Sequence, residues 1–221
     1  MVGGVALQIA LVGLPLFGPA PTLDWPRAWI LLSGIVVGTA ATLVYLRAQQ
    51  DLIEERLRLP LQRGQPISDK IVSILLVLAI GAVIGFIPLD VFRWHFMVQP
   101  GVIASFLGAG LIVGGWTVAA AAMHDNAFAV GVVRYQPERH HYLVDYGVYS
   151  KVRHPIYAGG LAFLIGTCLW LGSYAATFLV VVPIILLAVR IEIEERVLSE
   201  ALGGYQAYRQ RVRYRLIPCL W

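Results

Sequence analysis

A chain of 221 residues that is 58% hydrophobic and 14% charged, with a mean hydropathy of +0.73, is too apolar for a soluble domain, where roughly a quarter of the residues carry charge. Its net charge of +4 sits in clusters between apolar runs and does not cover one face, which argues against nucleic acid as a partner and for membrane topology. The two cysteines, Cys168 and Cys219, have neither metal-site spacing nor the density of a disulfide scaffold, so both read as packing residues and no metal is expected.

A bilayer core of about 30 Å needs roughly 20 apolar residues in a helix. Six stretches approach that length, which predicts an all-α, polytopic transmembrane bundle of about six spans. The whole chain, 1–221, reads as one integral membrane domain, with four spans in 1–122 and a loop, a helical hairpin and C-terminal helices in 123–221. Val2 to Phe17 is short and contains Pro15, and it lacks the basic start of a secretory signal peptide. Trp25 to Leu46 follows, with Trp25 and Trp29 placed as an interfacial belt and Pro26 at a first helical position.

The polar connection from Arg47 to Lys70 contains Leu52, Ile53, Leu57 and Leu59 near helical spacing among charges, which fits either a surface helix or a solvated loop. Ile71 to Leu89 is the third span and Val102 to Ala122 the fourth, where Gly110, Gly114 and Gly115 would permit close helix packing. His124 to Arg153 is the longest polar segment, and the chemistry is expected beside it. Pro155 to Leu171 and Tyr174 to Val189 are short spans joined through Gly172-Ser173, which predicts an antiparallel hairpin. Beyond Arg190 the last helix continues through Glu192, Glu194, Glu195 and Arg196, breaks at Gly203-Gly204, and gives way to an amphipathic run with Tyr205, Tyr208 and Val212.

Lys and Arg number five between Arg47 and Lys70, four between His124 and Arg153 and six from Arg190 onward; only Arg27 and Arg93 fall in the alternate connections. Fifteen against two predicts that both termini and the three polar segments are cytoplasmic. The stretch Gly147 to Gly160 then lies where the cytoplasmic loop enters the fifth helix. A helix opened by Pro155 presents unpaired N–H groups and a positive dipole end, which favours a carboxylate or phosphate, and His154 and the Tyr149 and Tyr157 hydroxyls could add hydrogen bonds. The competing reading is that these residues are interfacial anchors. Arg190 and Glu194 lie one turn apart where the last span ends. Either Arg190 grips an anionic headgroup-like moiety or it snorkels as a helix terminator.

The ordered set His141-Tyr142-Leu143-Val144, Gly147-Val148-Tyr149, Arg153-His154-Pro155-Ile156-Tyr157-Ala158-Gly159, Arg190 with Glu194-Glu195, and Gly204-Tyr205 through Tyr208 and Val212 to Pro218 resembles the isoprenylcysteine carboxyl methyltransferases and the related phospholipid methyltransferases. The resemblance covers about the C-terminal 90 residues. It implies S-adenosyl-L-methionine as cofactor, held in a cytoplasmic pocket closed by the C-terminal helix. By position it assigns cofactor binding to His141, Tyr142, Leu143, Val144, Tyr149, His154, Pro155, Ile156, Tyr157 and Glu194, with Arg190 holding the acceptor and Arg190 and Glu194 as catalytic residues. A polar contact of the family seven residues before His141 is not matched, since Arg134 stands there. The short chain resembles prokaryotic members, which places it in an inner membrane.

The reading is a methyltransferase acting on a lipophilic acceptor that enters from the bilayer, either the carboxylate of an isoprenylcysteine-like molecule or a lipid headgroup. Two alternatives belong to other classes. Val212-Arg213-Tyr214-Arg215-Leu216-Ile217-Pro218 resembles the ending of NADPH-dependent membrane sterol reductases, and a non-enzymatic scaffold would use the charged motifs only as anchors.

Overall fold

The computed structural model describes residues 2–49, 52, 53, 65–129 and 142–221, the side chains of residues 2–8 excepted. All regular structure among them is helical. Helix α1 is Val2–Phe17, α2 Pro26–Tyr45, α3 Ile67–Leu89, α4 Val102–Asp125, α5 Pro155–Leu171, α6 Tyr174–Leu179, α7 Val181–Ala201 and α8 Tyr205–Arg211. The chain is an integral membrane protein. α2, α3 with its extension to Trp94, α4, and the run Tyr174–Ala201 formed by α6 and α7 are long and apolar enough to cross a bilayer, and α5 is a shorter apolar helix. All six apolar stretches are therefore helices.

Local chemistry sets most of the boundaries. Pro26 and Pro155 open α2 and α5, where a missing N–H removes no helical bond. Pro88 near the end of α3 precedes a wider π-helical turn, Asp90–Trp94, closed by His95 N–H donating to the Asp90 carbonyl at 2.9 Å. Pro183 cannot donate to the carbonyl of Leu179, and the helix breaks there into α6 and α7. α3 begins at Ile67, one turn before the expected Ile71, and so draws Asp69 and Lys70 into its first turn. Of the stretch that reads as either a surface helix or a solvated loop, only Leu52 and Ile53 are described, and Leu52 is fully buried.

One core joins α1, α2, α3 and α5 through Leu16, Leu31, Ile35, Ile84, Ile87, Leu164 and Leu171, with Cys168 among them. Cys219 is exposed in a left-handed conformation, φ 65°, and is not the packing residue the sequence reading made it. The closest helix pairing is α4 with α5. Gly108 faces Gly166 and Gly115 faces Gly159 at a spacing of seven residues, and a Cβ on Gly108 would lie only 2.8 Å from the Gly166 carbonyl oxygen. Gly110 and Gly114, expected to serve this packing, face open space; Gly108 does the work instead.

The turn between α5 and α6 is as tight as expected, with Gly172 at φ 97° and Ser173 capping α6 by accepting the Ala176 N–H at 2.9 Å. Its arms nevertheless keep different company: α5 lies on α4, while α7 lies on α3. The two arms meet where Leu187 and Ile191 of α7 pack with Tyr157, Ala158 and Leu161 of α5.

Candidate functional site

Two backbone groups fix the start of α5. Pro155 keeps His154 out of helical geometry, at φ −126°, so the chain before it runs extended. The N–H groups of Arg153 and His154 then donate to the carbonyls of Tyr214 and Arg215, both at 2.9 Å, which docks the segment beyond α8 against the helix start. The Arg153 guanidinium reinforces the join by donating to the carbonyls of Val212 at 2.6 Å and Arg213 at 2.9 Å. No side chain caps α5, so its dipole end is left to other partners.

Glu195 is the hub of this end. It is 1% exposed and accepts from Arg153 Nε at 2.7 Å and from Arg215 Nη2 at 3.0 Å, and His154 Nε2 lies 3.2 Å away. A carboxylate can only accept, so Nε2 carries the imidazole proton in this contact. Burial alone would make the Arg215 cation easier to deprotonate, but its hydrogen bond to Glu195 and the charges of Glu195 and Glu192 hold it above its ordinary value.

Glu194, about 100° around the helix from Glu195, faces a different partner. It accepts from the Tyr157 hydroxyl at 2.6 Å, and its side chain keeps 23% exposure. The Tyr157 ring stacks on His154 at 5.6 Å and 6°, and the Arg190 guanidinium lies 5.5 Å from the ring centre. Arg190 does not make its close ion pair with Glu194. Its Nε donates to Asp69 Oδ1 on α3 at 3.0 Å, and it is 8% exposed, so it is not a snorkelling terminator.

Of the residues singled out in the sequence, His154, Pro155, Tyr157, Arg190 and Glu194 meet in one contiguous group. Leu143 packs with Tyr205, Tyr208 and Val212, whereas Val144 packs with Tyr149, Phe128 and Ala122, against which Ile156 also lies. Leu143 and Val144 thus face different clusters. Tyr149 is buried and accepts the Tyr208 hydroxyl at its carbonyl, 2.8 Å away. Tyr142 is exposed, its ring edge-on to Phe128 at 5.0 Å. His141 lies outside the described residues.

The sequence reading missed Asp69, the central place of Glu195, and Arg215. A signal for Glu195 was present: Leu187, Ile191 and Glu195 recur at intervals of four, which continues a buried stripe into a charge. Tyr205 is also buried, and burial together with Glu194 and Glu195 raises its hydroxyl pKa well above the ordinary value.

A polar cleft of about 300 Å³ opens beside Glu195, lined also by Glu192, Arg196, Ser199 and Arg209. A larger apolar cavity of about 350 Å³ lies between α2, α4 and the face of α5 that carries Phe163 and Trp170; it is lined by none of the charged group. Among the described residues no three His, Cys, Asp or Glu are grouped to hold a metal.

Residues 102–204, which carry Tyr157, Arg190 and Glu194, match the family of phospholipid methyltransferases. The similarity to that family is confined to this stretch, a little under half of the chain. A second similarity is to protein-S-isoprenylcysteine O-methyltransferase B of Arabidopsis thaliana, 39% identical over 83 residues, which is 37% of this chain and 42% of the relative. The chain thus spans less than half the length of that curated relative. The family region takes in α4, α5, α6, α7 and the turn after them, so α1, α2, α3, α8 and the docked segment beyond it lie outside.

Proposed function

We propose that this membrane protein transfers the methyl group of S-adenosyl-L-methionine to a lipophilic acceptor dissolved in the bilayer. The observation that carries this reading lies within the family region: the uncapped start of α5 and the carboxylate of Glu194 are joined by the 2.6 Å bond from Tyr157, at the end of the bundle where the charges gather. The donor set fits the cofactor's chemistry. The helix start attracts a carboxylate, the partly exposed Glu194 attracts an ammonium or sulfonium charge, and Leu143 with Tyr205 offers apolar cover for a base.

When bound, the cofactor supplies a methyl group activated by a positive sulfur. The protein's share is positioning and exclusion of water, since in-line transfer needs the nucleophile aligned with the methyl–sulfur bond. Arg190, where the apolar part of α7 ends, orients an anionic group of the acceptor while its tail stays in the lipid. An acceptor carboxylate is already ionised at neutral pH and needs no base. An amine must first lose a proton, and Glu194 is the carboxylate with the exposure to take it. In this reading the charged end faces the cytoplasm, in keeping with the distribution of Lys and Arg.

Calorimetry with S-adenosylhomocysteine tests the cofactor: wild-type protein binds it, and His154→Ala and Glu194→Ala bind it at least about tenfold more weakly. Absence of binding by the wild type, or thermal stabilisation by NADPH in its place, overturns the reading. Membranes incubated with radiolabelled S-adenosylmethionine, extracted and treated with base, identify the product. Release of methanol marks a methyl ester, and retained label marks an N-methyl or other stable product.

A further inference from the structure

The ion pair that fixes Arg190 comes from outside the family region. Asp69 sits in the first turn of α3, is fully buried, and is held from its own helix and from the chain leading into it: Gln65 Nε2 donates to Oδ2 at 2.6 Å and the Ser73 hydroxyl lies 3.4 Å from Oδ1. The same Oδ1 accepts Arg190 Nε at 3.0 Å. On its other side Arg190 lies over Tyr157, whose hydroxyl is bound by Glu194 and whose ring stacks on His154. A single line of contacts therefore runs from α3 through Arg190 to the start of α5.

Helix packing alone does not call for such a group. A buried carboxylate at the edge of an apolar helix is costly unless it is paired, and an apolar pair of similar volume at this α3–α7 contact would hold the helices as well. The carboxylate instead aims one edge of the guanidinium. A long, flexible Arg side chain is held by an ion pair along its Nε edge and by an aromatic face.

The geometry points to Asp69 as a positioning residue for the acceptor: it holds Arg190 against Tyr157, so that α3, outside the family region, contributes to a site whose Arg190, Tyr157, His154 and Glu194 lie within it. This rests on the reading that Arg190 serves the acceptor. It predicts a particular split. Loss of Asp69 loosens the guanidinium that orients the acceptor but leaves the cofactor's partners, Glu194 and the α5 start, in place.

The test uses the full chain in the membranes that produce it and in purified form. Methyl transfer is measured to the endogenous lipid, to N-acetyl-S-farnesylcysteine and to vesicles containing monomethyl phosphatidylethanolamine, alongside S-adenosylhomocysteine binding. In Asp69→Asn the acceptor KM rises roughly ten- to a hundredfold, as a displaced positioning group requires. Cofactor-product affinity stays within about twofold of wild type. Asp69→Glu, which keeps the charge but displaces it, recovers part of the loss, and Gln65→Ala moves KM in the same direction by less.

If Asp69→Asn and Asp69→Glu lose cofactor-product binding in step with acceptor use, Asp69 only supports the fold and the inference is wrong. Unchanged KM in both variants overturns it equally. A wild-type protein that binds S-adenosylhomocysteine and methylates lipid while these variants behave as wild type sinks this inference and leaves the proposed function standing. A wild type that does neither sinks both.

Discussion

The two ends of the bundle handle buried charge in opposite ways. At the end where α2 begins and α5 finishes, Asp90 accepts from the Ser173 hydroxyl at 2.6 Å and the Phe96 N–H at 2.8 Å, and Arg27 donates to the Ser105 hydroxyl and the Trp170 carbonyl, both at 3.2 Å. Each ion there is met by neutral groups that also tie helix ends together. At the other end ions meet ions: Glu195 with Arg153 and Arg215, and Asp69 with Arg190. Neutral partners suffice to close a helix end; pairing desolvated charges is the costlier arrangement, and the proposed function gives it a use.

The sharpest way to break this contrast is Glu195→Ala, which leaves Arg153 and His154 buried without their shared anion. It costs about 3–5 kcal/mol, read as a fall in the denaturant midpoint in detergent. Gly159→Leu, which drives a side chain into the backbone of Gly115, costs about 1–3 kcal/mol and lowers Tm. Ser173→Ala removes the α6 cap and a partner of Asp90 and costs about 1–2 kcal/mol, with S-adenosylhomocysteine affinity unchanged. Tyr157→Phe deletes one hydroxyl at the charged end. It costs stability at most about 1 kcal/mol yet weakens S-adenosylhomocysteine binding, so equal ligand affinity in Ser173→Ala and Tyr157→Phe would erase the distinction between the ends.

The smallest effect is alkaline. Tyr205 and Tyr208 have hydroxyl pKa values raised above 10.0, chiefly by burial. The unfolded chain therefore loses these protons first. Their contribution is complete below about pH 10 and is lost as pH climbs through the raised folded values, visible as a Tm that falls in that range and is restored in part by Tyr208→Phe.

What the sequence disclosed follows from the range of the forces involved. Apolar length, Pro155 at a helix start, Gly172 in a turn and Gly204 in a break are local matters, and each is where a reading of neighbours places it. The hairpin's exterior company was not local: seven-residue spacing of Gly108 and Gly115 against Gly159 and Gly166 is visible only when two helices are laid side by side. Arg190 and Asp69 are 121 residues apart, and no periodicity connects them. Glu194 and Glu195 are chemically identical neighbours whose separate duties are decided by 100° of helix rotation, which becomes legible once Ile191 is known to be buried.

The docking of residues 212–215 onto Arg153 and His154 bears on the order in which the molecule can be built. During synthesis α5 emerges, and can enter the bilayer, well before the segment that satisfies the two N–H groups ahead of Pro155 exists. Until that segment folds back, Glu195 lacks Arg215 and the helix start lacks its backbone partners. Insertion into the membrane and completion of the charged end are thus separate events in time, and the second waits on the chain beyond α8.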